Sequence, residues 1–214
     1  MVQHGLNRSA FVIGAAASVL ATTARARCAT QQMGPLTPFG VPTRAFVARP
    51  QLIRQQCAQW CWAASTAMIF AAYGHPISQQ AIVAHVFGGT VCQPAGNTLT
   101  IARALSDQWT DLNGTPFQYT ISAAYDPANG VNNLDNAIIV NELSADRPLL
   151  YANTHHAMVV VVADYMRGPN GPNRVDGIGV LDPWPYSPGF HPLSAPEMVP
   201  IDRGGQMTFL ATIA

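Results

Sequence analysis

Lysine is absent from this chain: all 11 basic residues are arginine, set against 11 acidic ones, for a formal net charge of zero. Charged residues make up only 10% of the 214 positions, and no basic run stands among them. A nucleic-acid surface needs clustered positive charge, so nucleic acid is not an expected partner. Long apolar runs are missing as well. The stretch Ala10–Ala24 spans about 15 residues, short of the ~20 that cross a bilayer. There is no internal repeat and no low-complexity linker. What remains is 49% hydrophobic, which with so little charge argues against disorder. A chain of this length suits one domain, or two small lobes sharing one core.

The N-terminus sets the compartment. Arg8, then the apolar run, then Ala24-Arg25-Ala26 have the order of a secretory signal peptide: basic region, short apolar core, A-x-A cleavage site. The expectation is a signal over residues 1–26, with the mature protein secreted or periplasmic and not held in the membrane. Arg27 before Cys28 makes a poor lipoprotein site. Residues 27–50, rich in Pro and Gly, read as an extended lead-in ending in a strand at Arg44–Ala48, and residues 51–214 as the folded domain.

The densest signal is Gln55–Tyr73, QQCAQWCWAASTAMIFAAY. Alanines at 63, 64, 67, 71 and 72, with Met68, Ile69 and Phe70, give a helix without a wide polar face. Such a helix belongs inside a domain. Gly74 and Pro76 stop it. Cys61 falls in its first turn, where unpaired N–H groups and the positive end of the helix dipole favour a thiolate. In an exported protein the default is to pair the four cysteines, 28, 57, 61 and 92. If Cys61 stays free, Cys57 with Cys92 is the natural bridge and Cys28 is left over; the spacing alone leaves the pairing open.

Further along, Ser78 can cap a helix over Gln79–Phe87 and Thr98 another over Leu99–Trp109. Phe117–Ile121 alternates like a strand, and Asn133–Ala145 reads as a fourth helix. The last third turns apolar and β-branched. Pro148–Ala152, Ala157–Tyr165, Gly177–Leu181 and Gln206–Ile213 read as strands, with Arg167–Asp176 as a turn. The chain is therefore α+β, helices first and antiparallel sheet second.

A thiolate nucleophile needs a base, the base needs an orienting group, and the tetrahedral intermediate needs hydrogen-bond donors. His156 heads the strand HAMVVVVADY. Asp182 ends GIGVL and precedes Pro183-Trp184. Gln55 lies six residues before Cys61, near enough to bring its amide to the thiol, with Gln56 the fallback. Each has a plainer reading: a core cysteine, a polar strand end, a turn-forming aspartate. Their joint occurrence in one order is harder to explain that way. A zinc set of Cys57, Cys61, His155 and His156 is disfavoured, because adjacent histidines in a strand point to opposite faces. No metal or cofactor is called for.

Gln55-x5-Cys61-Trp62-Ala63, His156-Ala157 opening an apolar strand, and Asp182-Pro183-Trp184 together resemble the papain-like cysteine peptidases. The similarity is greatest to their bacterial secreted branch, the avirulence-effector and C39-like types, and spans roughly Gln55 to Trp184. It implies a two-lobed papain-like fold, the nucleophile helix packed on an antiparallel sheet with the cleft between them. It implies Cys61 as nucleophile, His156 as base, Asp182 as orienting group in the place many relatives fill with Asn, and Gln55 with the Cys61 N–H as oxyanion hole. Trp184 resembles the tryptophan that shields the His–Asn/Asp bond. The family also implies a disulfide from the loop before the nucleophile to a downstream loop; Cys57 stands four residues before Cys61 rather than three. The implied activity is peptide-bond hydrolysis on a peptide or protein substrate. A transferase or amidase using the same thioester, and a non-catalytic binding domain, are the competing classes.

Overall fold

A computed structural model describes residues 29–214; the expected signal peptide and Cys28 lie outside the described residues. In chain order the elements are β1 (Thr30–Gln32), β2 (Val41–Phe46), α1 (Cys61–Ala72), α2 (Gln79–Phe87), α3 (Thr98–Ser106), β3 (Gln108–Thr110), β4 (Pro116–Gln118), β5 (Ile121–Asp126), β6 (Val131–Asn132), α4 (Asn136–Ser144), β7 (Leu149–Asn153), β8 (Ala157–Gly168), β9 (Gly171–Leu181), β10 (Phe190–Pro192), α5 (Ala195–Met198) and β11 (Met207–Ile213).

The sheet is antiparallel and organised about β8. Its first half, Ala157–Val160, pairs with β7, and its second, Val162–Arg167, pairs with β2 on the same edge. The other edge carries β9, which in turn holds β10. Beyond β7 the order continues β11, β5, β6. The segment expected to be an extended lead-in with one strand at Arg44–Ala48 contributes two strands to the sheet, the expected one lying earlier as β2: its Thr43 and Ala45 point inward and are buried. A bidentate Arg44–Asp164 pair at 2.6 and 2.7 Å ties β2 to β8.

Helix α1 is the core of the molecule. Every residue from Trp62 to Phe70 is buried, as a helix without a polar face requires. It packs on β7 and β8 on one side and on α2 and α3 on the other. Gly74, at φ +89°, stops it. The second helix is as expected, with the Ser78 hydroxyl accepting from the Ala81 N–H at 3.1 Å and Gly88 in the left-handed region.

Four local expectations need correction. The third helix ends at Ser106, not Trp109, and its cap is Asn97 rather than Thr98. Trp109 instead lies in a short hairpin, β3–β4, and donates its indole N–H to the Ala104 carbonyl. The strand expected at Phe117–Ile121 is split between β4 and β5. The fourth helix starts at Asn136, where the Asp135 carboxylate accepts from the Ile138 N–H at 2.8 Å. Arg167–Asp176 is mostly strand, because Pro169 and Asn170 suffice for the reversal and Gly168 already pairs with Gly171.

Candidate active site

Three separate devices present the groups expected to react. Cys61 opens α1, and the preceding residue, Trp60, supplies no side-chain cap. The first helical hydrogen bond near this end runs from Ala64 N–H to Trp60 O, so the N–H groups of Cys61 to Ala63 precede the intrahelical ladder. The indoles of Trp60 and Trp62, which flank the thiol in sequence, donate to the carbonyls of Val91 and Gln93 at 2.8 and 3.3 Å. Cys57 is disulfide-bonded to Cys92, which pins the same loop to the turn before Cys61. Among the described residues Cys61 is the free cysteine, and it is partly exposed. With Cys57 in a disulfide, the zinc set loses a ligand.

His156 sits in the turn from β7 to β8. Asn153 holds that turn, its side-chain oxygen accepting from the N–H groups of His155 and His156 at 2.9 and 2.7 Å. Its amide nitrogen donates onward to Glu197 at 3.3 Å. Asp182 directly follows β9 and is 7% exposed. Its Oδ1 accepts from His156 Nε2 at 2.6 Å and from the Trp184 N–H at 2.8 Å. With Nε2 committed to Asp182, Nδ1 is the ring nitrogen left for Cys61, whose side chain is one of the groups acting on the imidazole.

The electrostatics follow from these contacts. Burial works against the imidazolium of His156, but hydrogen bonds to Asp182 and Cys61, with the charges of both, outweigh it and lift the group to about 9. Burial likewise opposes the Asp182 carboxylate. The His156 hydrogen bond, the Trp184 N–H and the imidazolium charge overcome that and hold it down at about 2. At neutral pH the pair is an ion pair with the proton on the ring.

Gln55 is buried, and its amide nitrogen donates to the carbonyls of Cys57 and Ala58 at 3.0 and 2.9 Å. Both of its N–H groups are thus turned on the loop before Cys61, while its Oε1 is buried without a partner among the described residues. Gln56 faces elsewhere: its N–H goes to Gln79, and its side-chain oxygen accepts from Gln80 on α2. Trp184 reaches Asp182 through its main chain, and its indole stands edge-on to Tyr186 with 38% of the residue exposed.

Several residues that shape the site carry no signal in the sequence. The Arg54 guanidinium donates to the carbonyls of Asp182, Trp184 and Ser187 and to the Ser187 hydroxyl. The Gln55 N–H donates to the Pro183 carbonyl at 2.9 Å. These bonds join the segment before Cys61 to the loop after Asp182, more than a hundred residues away in sequence. Gly189 lets the two approach: a Cβ there would lie 2.6 Å from the Leu52 side chain and 2.9 Å from Arg54.

A cleft of about 500 Å³ adjoins Cys61 and His156, walled by Ala95, Gly96, Ile101, Ala152 and Ala157. A larger groove of about 720 Å³ lies between α2 and the β3–β4 hairpin and contains none of the three reactive groups, so its size does not make it the site.

The family model described as papain-like cysteine protease AvrRpt2 matches residues 45–188, more than half of the chain and an interval that includes Gln55, Cys61, His156 and Asp182. Among solved structures, the peptidase domain of Streptococcus ComA, a bifunctional ABC transporter involved in a quorum-sensing pathway, is similar at 15% identity with a TM-score of 0.41, over 78% of this chain and 98% of that one. No curated protein sequence matches the chain.

Proposed function

The chain belongs to the papain-like cysteine protease family of AvrRpt2, and we propose that it hydrolyses peptide bonds with Cys61 as nucleophile, His156 as acid and base, and Asp182 as the group that orients the imidazole. The observation that carries this reading is the 2.6 Å contact from His156 Nε2 to Asp182 Oδ1, on a ring that lines the same cleft as Cys61.

The Cys61 thiolate attacks the peptide carbonyl carbon, and the carbonyl π pair moves onto oxygen. That oxyanion lies at the uncapped start of α1, where the Cys61 N–H is one donor. The Gln55 amide is the second, once it releases one of its two loop carbonyls. Release costs about 1 kcal/mol, one ordinary hydrogen bond, whereas an oxyanion donor contributes about 3–4 kcal/mol, so the exchange is favourable in the transition state. The oxyanion collapses, the C–N bond breaks, and His156 gives its Nδ1 proton to the leaving amine. The neutral imidazole then takes a proton from water, the hydroxide displaces sulfur from the thioester, and the thiolate–imidazolium pair is restored.

Asp182 keeps Nε2 bonded so that Nδ1 points at sulfur throughout, and its charge favours the imidazolium on which the first step depends. The partner is a peptide or protein chain, laid along the cleft beside Cys61. We read residues 1–26 as a cleaved export signal, which makes Arg27 the first residue of the mature protein in the periplasm or outside the cell; N-terminal sequencing of the exported form tests this. No helix among the described residues is long and apolar enough to cross a membrane.

The experiment is a digest of a peptide library by the purified mature chain under mild reduction, with Cys61→Ala as control. New termini in a narrow sequence context, absent from the control, support hydrolysis. Products carrying an added amine in place of a free carboxylate would point to acyl transfer, and no Cys61-dependent product at all would sink both.

A further inference from the structure

Asp182 has two carboxylate oxygens, and the steps above use one. Its Oδ2 faces the Nε2 of His191 at 3.4 Å. His191 arrives from β10, whose register with β9 sets Phe190 opposite Leu181 and His191 opposite Val180. The Asp182 N–H to Gly189 O bond, 2.8 Å, extends the pairing to the carboxylate itself. Gly179 lets the Phe190 ring lie on β9, since a Cβ there would fall 2.8 Å from it. The imidazole is thus set beside Asp182 by strand pairing, with 28% of its side chain exposed.

The other nitrogen of this ring, Nδ1, lies 3.0 Å from the Pro192 carbonyl oxygen. A carbonyl and an ionised carboxylate both only accept, and a neutral imidazole has a single N–H to give. With the proton on Nδ1, the Nε2 lone pair would face Oδ2; with it on Nε2, the carbonyl contact is lost. Each tautomer serves one acceptor, and the ring stands beside both. At 3.4 Å the approach to Oδ2 is longer than a strong hydrogen bond but sets the ring against the carboxylate.

We propose that His191 is a positioning residue for the reaction: it holds the second oxygen of Asp182, so that the first stays on the His156 ring and the ring stays aimed at Cys61. A carboxylate gripped at one end only can tilt about its side-chain bond, and the base tilts with it. Ionisable groups around this residue are His156 from the β7–β8 turn, Arg54 from the segment before α1, and His191 itself.

The inference rests on the proposed peptidase reading, and amide substitutions separate the two nitrogens. In His191→Asn the amide NH2 stands roughly where Nδ1 was and keeps the Pro192 contact; in His191→Gln it reaches roughly as far as Nε2 and keeps the Asp182 contact. On the full mature chain with a peptide taken from the library digest, His191→Asn should lower kcat about tenfold with KM and the melting midpoint unchanged, a loss the size of one positioning hydrogen bond. The alkaline limb of its kcat–pH profile should shift from that of the wild type, and His191→Gln should recover most of the rate. In an Asp182→Asn background, His191→Asn should cost less than about twofold. Wild-type kcat in His191→Asn, equal losses in both variants, or an undiminished loss in the Asp182→Asn background overturns the proposal. If the Asn variant does not fold, full activity in His191→Phe overturns it just as well. Failure of the underlying reading looks different: wild type and Cys61→Ala would then digest alike, and this inference would fall with it.

Discussion

Replacing Asp182 by Asn removes one negative charge from the His156 ring and leaves the shape of the side chain. The rise of His156 from 6.5 to about 9 corresponds to about 3 kcal/mol of preference for the imidazolium. The fall of Asp182 from 3.8 to about 2 corresponds to about 2 kcal/mol. These figures describe one contact from its two ends and are not added; His156 has the larger one because Cys61 also faces it. The sign follows from linkage. His156 is raised by folding, so its stabilisation is complete below 6.5 and is lost as pH climbs through about 9. Asp182 is depressed, so its share is present above 3.8 and is lost as pH falls through about 2. Asp182→Asn should therefore cost about 2 kcal/mol between about pH 4 and pH 6.5, and that cost should shrink to under about 1 kcal/mol by about pH 10. Urea unfolding of both proteins across this range measures it. A penalty that stays constant, or grows with pH, would refute the ion-pair account of His156 and Asp182.

Gln55→Ala should lower kcat by about 100- to 1000-fold, while Gln56→Ala, whose amide is engaged with α2, should stay within about threefold in the same steady-state assay. Breaking the Cys57–Cys92 bridge with the paired Cys57→Ser and Cys92→Ser change opens a loop of sequence separation 35, which costs about 4 kcal/mol at most. Because Gln93 to Thr98 run on from that bridge to the wall of the cleft, KM should rise as well, a change visible in initial-rate measurements. Arg54→Ala removes the ties between the nucleophile segment and the loop after Asp182, and should reduce kcat by at least about tenfold while substrate still binds.

Much of this site was legible because its chemistry is local. The alanine-rich run ending at Gly74 identifies a buried helix, and Cys61 at its start follows from the same reading. His156 and Asp182 stand at strand ends, where apolar β-branched runs stop, and those boundaries are visible in sequence. Helix ends were harder. Leu99–Trp109 has helical spacing throughout, yet the Trp109 indole bonds back to Ala104 and its main chain pairs with Phe117, a tertiary choice no window contains. In sequence the hairpin of β8 and β9 reads as a long turn because its Gly, Pro and Asn residues all carry turn signals, although two of them make the reversal. Arg54, Asn153 and His191 were invisible for another reason. Their roles depend on which loops meet, and Arg54 lies 128 residues from the Asp182 carbonyl it reaches.

At the centre of the proposed reaction stands a thiol activated by one imidazole. Intact-mass and peptide-mapping spectrometry after exposure to a peptidyl vinyl sulfone at neutral pH tests that directly. One adduct, mapped to Cys61 and all but absent in His156→Ala, is the predicted result. An adduct at another residue, or His156→Ala labelling Cys61 as fast as the wild type, would contradict it.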